Sequence, residues 1–396
     1  MRVLHVTSSL AAGRAGHHLR LLVGRLPHEC EVVTLSGPPG PADGAGSRRS
    51  GGTTVAATLR AAGAPVHELT ARHDHDLSTV GRLRRLVRRG QFDVVHTHLY
   101  RGCVQGRLAA RLAGVPYVIA TAHTLDERTV EGRPVTAGVR ALYLASERLG
   151  RLTIATSPAI TRRLREWGVP DDRIATVPAA IDTAEFRFDA ALRAATRAGL
   201  GIPPGTAVIG GVGRLEPGRR FDRLIRAVGE VPGAMLLLVG DGPARAALTR
   251  LAAIEGVADR VVFAGPVGHA RAMLCAMDVF ASPSEHEGSE LMVLEALAAG
   301  LPTVYARCTP LEKLAAARAA VAGARRLTPH DPESLPRALR TEVLCVRERH
   351  GGRLPLRSAG SRYDADRLVS SVGRLYERIT CRRRSVNYHF RTRGAI

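Results

Sequence analysis

The sequence predicts an α/β protein of two Rossmann-like, doubly wound domains facing across a cleft. Three observations carry that expectation. Short apolar runs of strand length alternate with amphipathic runs of helix length along most of the chain. The alternation pauses at Ala180–Phe188 and then restarts, so two such units follow one another. At 396 residues and 45% hydrophobic content, the chain has material for two cores.

In the first half, strand Arg2–Thr7 leads to helix His17–Leu26 and strand Glu31–Leu35. A Gly/Pro/Ser-rich loop, Gly37–Thr53, precedes helix Val55–Ala62, strand Val66–Leu69 and helix Leu77–Arg89. Then come strand Phe92–Thr97, helix Arg101–Leu112, strand Tyr117–Thr121, helix Val139–Leu149, strand Thr153–Ala155, helix Ala159–Trp167 and strand Ile174–Val177. The second half reads as strand Ala207–Gly211, helix Phe221–Val228, strand Met235–Val239, helix Ala244–Glu255 and strand Val261–Ala264. Helix His269–Ala276, strand Val279–Ala281, helix Leu291–Ala299 and strand Thr303–Tyr305 continue it. These runs divide the chain into 1–182, 183–362, a C-terminal helix at 363–380 expected to cross back to the first domain, and a basic tail at 381–396. The tail, Cys381–Ile396, reads as disordered or surface-bound.

Composition narrows the function. There are 57 basic and 36 acidic residues, a net charge of +21, and Lys313 is the one lysine. Such a charge favours polyanions: nucleotides, anionic lipid surfaces or nucleic acids. Aromatic residues are 4% and do not interleave with the basic ones, which argues against a specific nucleic-acid partner. Cys30, Cys103, Cys275, Cys308, Cys345 and Cys381 are scattered without metal spacing, as for buried thiols in a reducing compartment. No apolar run approaches membrane-span length, and Met1–Leu10 reads as a strand rather than a leader. The expected location is therefore cytoplasmic, with peripheral contact at the inner face of the plasma membrane allowed by the basic surface.

Two stretches carry the chemistry. In Pro283-Ser284-Glu285-His286-Glu287-Gly288-Ser289-Glu290-Leu291, a strand ends, a Gly-bearing turn follows and a helix begins. Free N–H groups and the positive end of a helix suit a diphosphate. Glu287 at the turn is a candidate for gripping a sugar, and Glu295 in the helix for gripping a ribose. Helix capping is the bland alternative for Glu287 and Glu290. The second stretch is Gly210-Gly211-Val212-Gly213-Arg214-Leu215-Glu216-Pro217-Gly218-Arg219, again a strand and a Gly-rich turn. Arg214 and Arg219 flank the turn and could neutralise a departing pyrophosphate without a metal.

Together these stretches resemble the retaining GT-B glycosyltransferases of family four, the glycosyl transferases group one. The resemblance rests on Glu287 and Glu295 with Ala-Leu-Ala-Ala-Gly-Leu-Pro after them, and on Gly213-Arg214-Leu215. It also rests on Val239-Gly240-Asp241-Gly242-Pro243, Asp278-Val279-Phe280-Ala281-Ser282-Pro283-Ser284, Phe92-Asp93-Val94-Val95-His96-Thr97-His98 and Ala122-His123-Thr124. The resemblance implies a hexosyltransferase-type enzyme that moves a sugar from a nucleotide-diphosphate sugar to an acceptor, with retention and without a metal or other cofactor. It implies a place in cell-surface polysaccharide or glycolipid synthesis. The diphosphate would be held by Arg214, Arg219, Gly213 and the backbone of Gly288, Ser289, Glu290 and Leu291. Glu287 would contact the transferred sugar and Glu295 the ribose. His123 would lie near the sugar, and Gly13 and Gly16 would let the backbone approach the ligand. Rival readings are a GT-B nucleotide-sugar 2-epimerase and a catalytically degenerate nucleotide-binding partner of another transferase.

The sequence departs from the family pattern in places. Arg219 stands where a lysine is usual, the first turn lacks adjacent glycines, and Ala179-Ala180 precedes Ile181-Asp182. Other features weigh less. His73-Asp74-His75 and His96-Thr97-His98 have the spacing of paired ligands, but no carboxylate or cysteine set completes a metal site. His98, at a strand's carboxyl end, is a candidate cleft residue, while His17 and His18 read as exposed. The helix Leu77–Arg89 carries Arg82, Arg84, Arg85, Arg88 and Arg89 and is a candidate docking element for anionic membranes.

Overall fold

The computed structural model describes residues 1–10, 13–35, 55–70, 76–125, 129–130, 133–284, 290–316, 323–328, 331–349, 352–354 and 363–390. The chain divides into two compact units. Among the described residues, the first holds 1–35, 55–180 and 365–390, and the second holds 181–364.

The first unit runs β1 (Arg2–Thr7), α1 (Arg14–Val23), β2 (Glu29–Thr34), α2 (Val55–Ala61), β3 (Val66–Glu68), α3 (Leu77–Gly90), β4 (Val94–His98), α4 (Tyr100–Ala113) and β5 (Tyr117–Ala122). A hairpin, β6 (Thr129–Val130) and β7 (Arg133–Pro134), leads to α5 (Ala137–Glu147), β8 (Leu152–Ala155), α6 (Pro158–Trp167) and β9 (Ile174–Thr176). Seven parallel strands form one sheet in the order β3-β2-β1-β4-β5-β8-β9. Period-2 alternation sends neighbouring residues of β1 into different cores. Val3 packs with Leu19, Leu22 and Val94, whereas Leu4 and Val6 pack with Leu83, Val87 and Val95. Both faces are thus dry, as a parallel sheet requires.

The second unit runs α7 (Ala190–Gly199), β10 (Ala207–Val212), α8 (Phe221–Gly229), β11 (Ala234–Val239), α9 (Arg245–Ile254), β12 (Val261–Gly265), α10 (Arg271–Ala276) and β13 (Val279–Ser282). It continues with α11 (Glu290–Ala298), β14 (Thr303–Tyr305), α12 (Thr309–Ala316), β15 (Ala324–Arg326) and α13 (Ser334–Glu348). Its six parallel strands are ordered β12-β11-β10-β13-β14-β15.

Helix starts follow local chemistry. Asp76 accepts from the Ser78 N–H at the start of α3, and Ser157 caps α6 ahead of Pro158. Asp189 caps α7 through the Leu192 N–H. The sequence reading did not place α7, α12, β15 or α13. Pro336 lies in the first turn of α13, where its missing N–H costs nothing, so the helix runs through it. The strand β15 is Ala-Arg-Arg, with no apolar pattern to read.

One correction concerns the C-terminus. The final helix, α14 (Ala365–Phe390), continues ten residues into the stretch read as a disordered or surface-bound tail. Leu368, Val372 and Tyr376, spaced by four, bury one stripe of α14 in the first unit's core.

Candidate functional site

In doubly wound sheets, ligands bind at the carboxyl ends of strands where the strand order reverses. In the first unit that point lies between β1 and β4. His5 is in register with His96, and Thr7 with His98. His98 pairs in register with Thr121 of β5. Alternation therefore places His5, His96, His98 and Thr121 on one face, with His123 just beyond β5. From α1 comes His18, and from α14 comes Tyr376.

These groups form two hydrogen-bonded chains. His5 Nδ1 lies 3.1 Å from His98 Nε2, and His98 Nδ1 lies 3.2 Å from His123 Nε2. His96 Nδ1 lies 2.7 Å from the Tyr376 hydroxyl, and its Nε2 lies 2.7 Å from Thr121 Oγ1. The His18 ring meets His123 edge-on, at 4.9 Å between centroids. His5, His96 and His98 have no exposed surface, and His18 and His123 keep only 3% each.

Burial sets the protonation of these rings. It pushes His5 down to about 3, and His123 to about 3 with the Arg14 guanidinium adding to the effect. His18, His96 and His98 fall well below the usual imidazole range, first by burial and then by repulsion from neighbouring histidines. All five are neutral at pH 7. The Tyr376 hydroxyl is pushed well up by burial, with Cys30 adding to it, so it too stays neutral.

Ring nitrogens of His5, His96 and His98 lie within 4.8 Å of one another, close enough to surround an ion. The sequence reading paired His96 and His98 but missed His5 as their third neighbour. Hydrogen bonds already engage both nitrogens of His96 and of His98, and no carboxylate joins the group among the described residues.

In the second unit the strand order reverses between β10 and β13. After β10, Gly213 adopts φ 151°, and a Cβ on Gly240 would collide with the Gly213 carbonyl oxygen. Only glycine at 240 lets the two loops pack this closely. The Gly213 N–H donates to Val239 O at 2.9 Å and the Leu215 N–H to Asp241 O at 3.0 Å. On this frame Arg214 Nε lies 3.7 Å from Glu216 Oε2, and Arg219 Nε lies 3.5 Å from Glu216 Oε1. Two guanidinium groups thus meet at one carboxylate. After β13, Ser284 Oγ donates to Gly218 O at 3.3 Å, tying that loop to the arginine turn.

Site residues named from sequence fall as follows. Arg214 and Arg219 come together, and Gly213 shapes their turn. Glu290 opens α11; its Oε1 is buried and has no hydrogen-bond partner among the described residues. Leu291 and Glu295 are buried in the same helix. Glu287, Gly288 and Ser289 lie outside the described residues, as do His73, Asp74 and His75. His98 and His123 are hydrogen-bonded, but His98 has no surface with which to line a crevice. Gly13 immediately precedes α1, whereas Gly16 is buried in its first turn rather than free in a loop. His18, read as exposed, is buried; His17 is half-buried with its Nε2 2.9 Å from Ala180 O. Sequence reasoning missed His5, Tyr376 and Glu216. A histidine inside the apolar strand Arg-Val-Leu-His-Val-Thr, on the parity of Val3, was the available signal for the first.

The family model described as Glycosyltransferase Family 4 matches residues 3–185, and the model for glycosyl transferases group 1 matches residues 206–342. The chain belongs to glycosyltransferase family 4. Its relatives include the D-inositol 3-phosphate glycosyltransferase of Nocardia farcinica, 32% identical over 237 residues, which cover 55% of this chain and 52% of that one. The protein of the same name from Mycolicibacterium gilvum is 30% identical over 304 residues, covering 72% of this chain and 66% of that one. The first of these family 4 matches thus reach only about half of the relatives' own length. Among solved structures, Anabaena HepE in complex with UDP and glucose has a TM-score of 0.76 at 20% identity, covering 95% of this chain and 99% of that one. Sucrose-phosphate synthase from Thermosynechococcus elongatus has a TM-score of 0.69 at 18% identity, covering 96% and 100%. These likenesses show the fold of the family 4 chain, GT-B. None of its described helices is long and apolar enough to cross a membrane.

Proposed function

We propose that this chain is a retaining, metal-independent glycosyltransferase that moves a sugar from a nucleotide-diphosphate sugar to a hydroxyl acceptor. The observation that carries the reading is the meeting of Arg214 and Arg219 at one carboxylate, at the strand-order reversal of the second sheet. In this reading Glu216 is a place-holder for a phosphate, and the diphosphate takes both guanidinium groups when it binds. Gly213 and the start of α11 bring backbone N–H groups to the same anion. Glu295 takes the ribose, Glu287 the transferred sugar, and His123 contacts that sugar through its ring. Gly13, just before α1, leaves room for the ligand.

The bond from the sugar's anomeric carbon to the phosphate oxygen breaks as the acceptor oxygen bonds on the same face. The departing phosphate oxygen takes the acceptor proton. Charge builds on the leaving diphosphate, so fixed cations there stabilise the transition state more than the ground state. The named function of the curated relatives makes D-inositol 3-phosphate the first acceptor to try. The exposed arginines of α3 give the protein a means of meeting anionic membrane from the cytoplasmic side, where lipid-linked acceptors of surface glycans lie.

The test is a panel of UDP-, GDP- and ADP-sugars, assayed for transfer and for thermal stabilisation with no metal added. One donor should stabilise the protein and turn over. Arg214→Ala and Glu287→Ala should each lower kcat by about 10²–10³ while the fold survives. Full turnover by both purified variants would refute these assignments. Epimerisation of the free donor would favour the 2-epimerase instead.

A further inference from the structure

We propose that His5 and His98 are positioning residues that lock His123 in its Nδ1–H tautomer, so that its ring offers the ligand an N–H donor and not a base. This rests on the reading above that His123 contacts the transferred sugar.

His5 is the closed end of the hydrogen-bonded chain. A neutral imidazole carries one N–H and one bare nitrogen. His5 Nε2 is buried and has no hydrogen-bond partner among the described residues. A buried N–H without an acceptor is costlier than a bare nitrogen without a donor, so the proton of His5 belongs on Nδ1. From there His5 Nδ1–H donates to His98 Nε2 across 3.1 Å. That nitrogen of His98 is now an acceptor, so its proton sits on Nδ1 and is donated to His123 Nε2 across 3.2 Å. His123 Nε2 is occupied in turn, which leaves the ring its Nδ1–H. Each step follows from the one before, so one orphaned nitrogen inside the first unit sets the outermost ring.

The reverse direction would require every ring to carry its proton on Nε2 and would strand an N–H at His5. Burial keeps His5 and His123 neutral, as does the Arg14 guanidinium near His123, so no second proton breaks the chain at pH 7. His18 packs edge-on against His123 and restrains the ring from turning over.

His96 provides an internal control, because the same reasoning gives it the opposite tautomer. The Tyr376 hydroxyl must donate, and His96 Nδ1 is its partner across 2.7 Å. His96 therefore carries Nε2–H, which it donates to Thr121 Oγ1. Two neighbouring histidines of one strand, His96 and His98, should hold opposite tautomers.

The experiment is long-range proton–nitrogen NMR on the full chain with nitrogen-15 histidine, assigned by single substitutions. His5, His98 and His123 should report Nδ1–H and His96 Nε2–H, unchanged between pH 8 and 6. Nε2–H or a mixture at His98 or His123 would overturn the proposal. So would stoichiometric Zn²⁺ binding that His98→Leu removes, since the cluster would then be a metal centre. In His98→Leu the lock is gone: His123 should show mixed tautomers, and kcat should fall about tenfold with donor KM nearly unchanged. His98→Gln can accept from His5 and donate to His123 through its amide, so it should restore Nδ1–H at His123 and most of kcat. Should His98→Leu fail to fold, the spectra of the native chain and of His98→Gln decide the matter. The expected tautomers with full activity in His123→Ala would uphold the lock and refute the placing of His123 at the sugar, so the two readings fail separately.

Discussion

The two sheets share a winding pattern, yet they fill the point of strand reversal in opposite ways. In the first unit that point holds neutral imidazoles linked ring to ring, with His5 and His98 fully buried and His123 keeping 3% of its surface. In the second it holds glycine-shaped backbone and a pair of guanidinium groups, one of them 70% exposed along its side chain. The second unit buries its charge at the amino end of β13, an interior strand of the sheet, instead. Asp278, at the start of β13, takes Arg193 at 2.5 Å and Arg197 at 2.6 Å, and accepts the Val208 N–H at 2.8 Å. Polar groups survive burial by two routes: neutrality with a chain of hydrogen bonds, or full charge with full pairing. The first fixes where each proton sits without placing any net charge, while the second fixes charge in place.

The largest expected effect breaks the second route. Asp278→Ala leaves Arg193 and Arg197 without their carboxylate and the Val208 N–H without its acceptor. It should destabilise the second unit by about 3–5 kcal/mol, seen as a lower urea midpoint at unchanged slope. Asp278→Asn, which keeps the backbone hydrogen bond, should cost less. Equal stability of Asp278→Ala and the native chain would mean that the paired charges contribute nothing to holding α7 on the sheet.

Acid sharpens the comparison from the other side. His5 and His123 have folded values depressed from 6.5 to about 3, so the folded state excludes a proton that the unfolded chain takes up. Their stability is fully present above pH 6.5 and is lost as pH falls from there towards 3. Each should cost about 2 kcal/mol on going from pH 7 to pH 5. The protein should therefore lose stability between pH 7 and pH 5, with His5→Phe or His123→Phe reducing the loss. A stability that does not fall between pH 7 and pH 5, or that falls equally in His5→Phe and His123→Phe, would show that the histidines are not held neutral.

How much of this was readable beforehand differs between the two regions. Strands rich in apolar and β-branched residues, such as Arg2–Thr7, Met235–Val239 and Thr303–Tyr305, stand within a residue of where the pattern put them. Arg214 and Arg219 could be paired from sequence, since both flank one glycine turn. The histidine cluster could not. His5, His18, His96 and His123 come from four separated segments, and their meeting depends on strand order and register. Only the His96–His98 parity was local enough to read. Tyr376 needed more still, the return of α14 to the first unit's core. The tail misled for the opposite reason: arginine-rich composition suggests a solvated chain, but arginine is also a good helix former, and α14 continues to Phe390.

The smallest expected effect on stability concerns the same residue type in a different setting. Arg197 is 8% exposed and held by Asp278, while Arg85 and Arg89 project from the outer face of α3. Inward, α3 presents Val80, Leu83 and Val87 to the core, and these carry its attachment to the sheet. Replacing Arg85 and Arg89 by Glu removes no buried partner, so stability should change by less than about 0.5 kcal/mol per site. The double change lowers the positive charge on that face by four, and binding to phosphatidylglycerol vesicles, measured by flotation, should weaken strongly and lose most of its salt dependence. Binding to neutral vesicles should not change. If the variant floats with anionic vesicles as well as the native chain does, α3 is a solvated helix and not a membrane contact. If the variant instead unfolds, these arginines carry structure in the way Arg197 does, and the contrast between exposed and buried guanidinium groups drawn above is wrong.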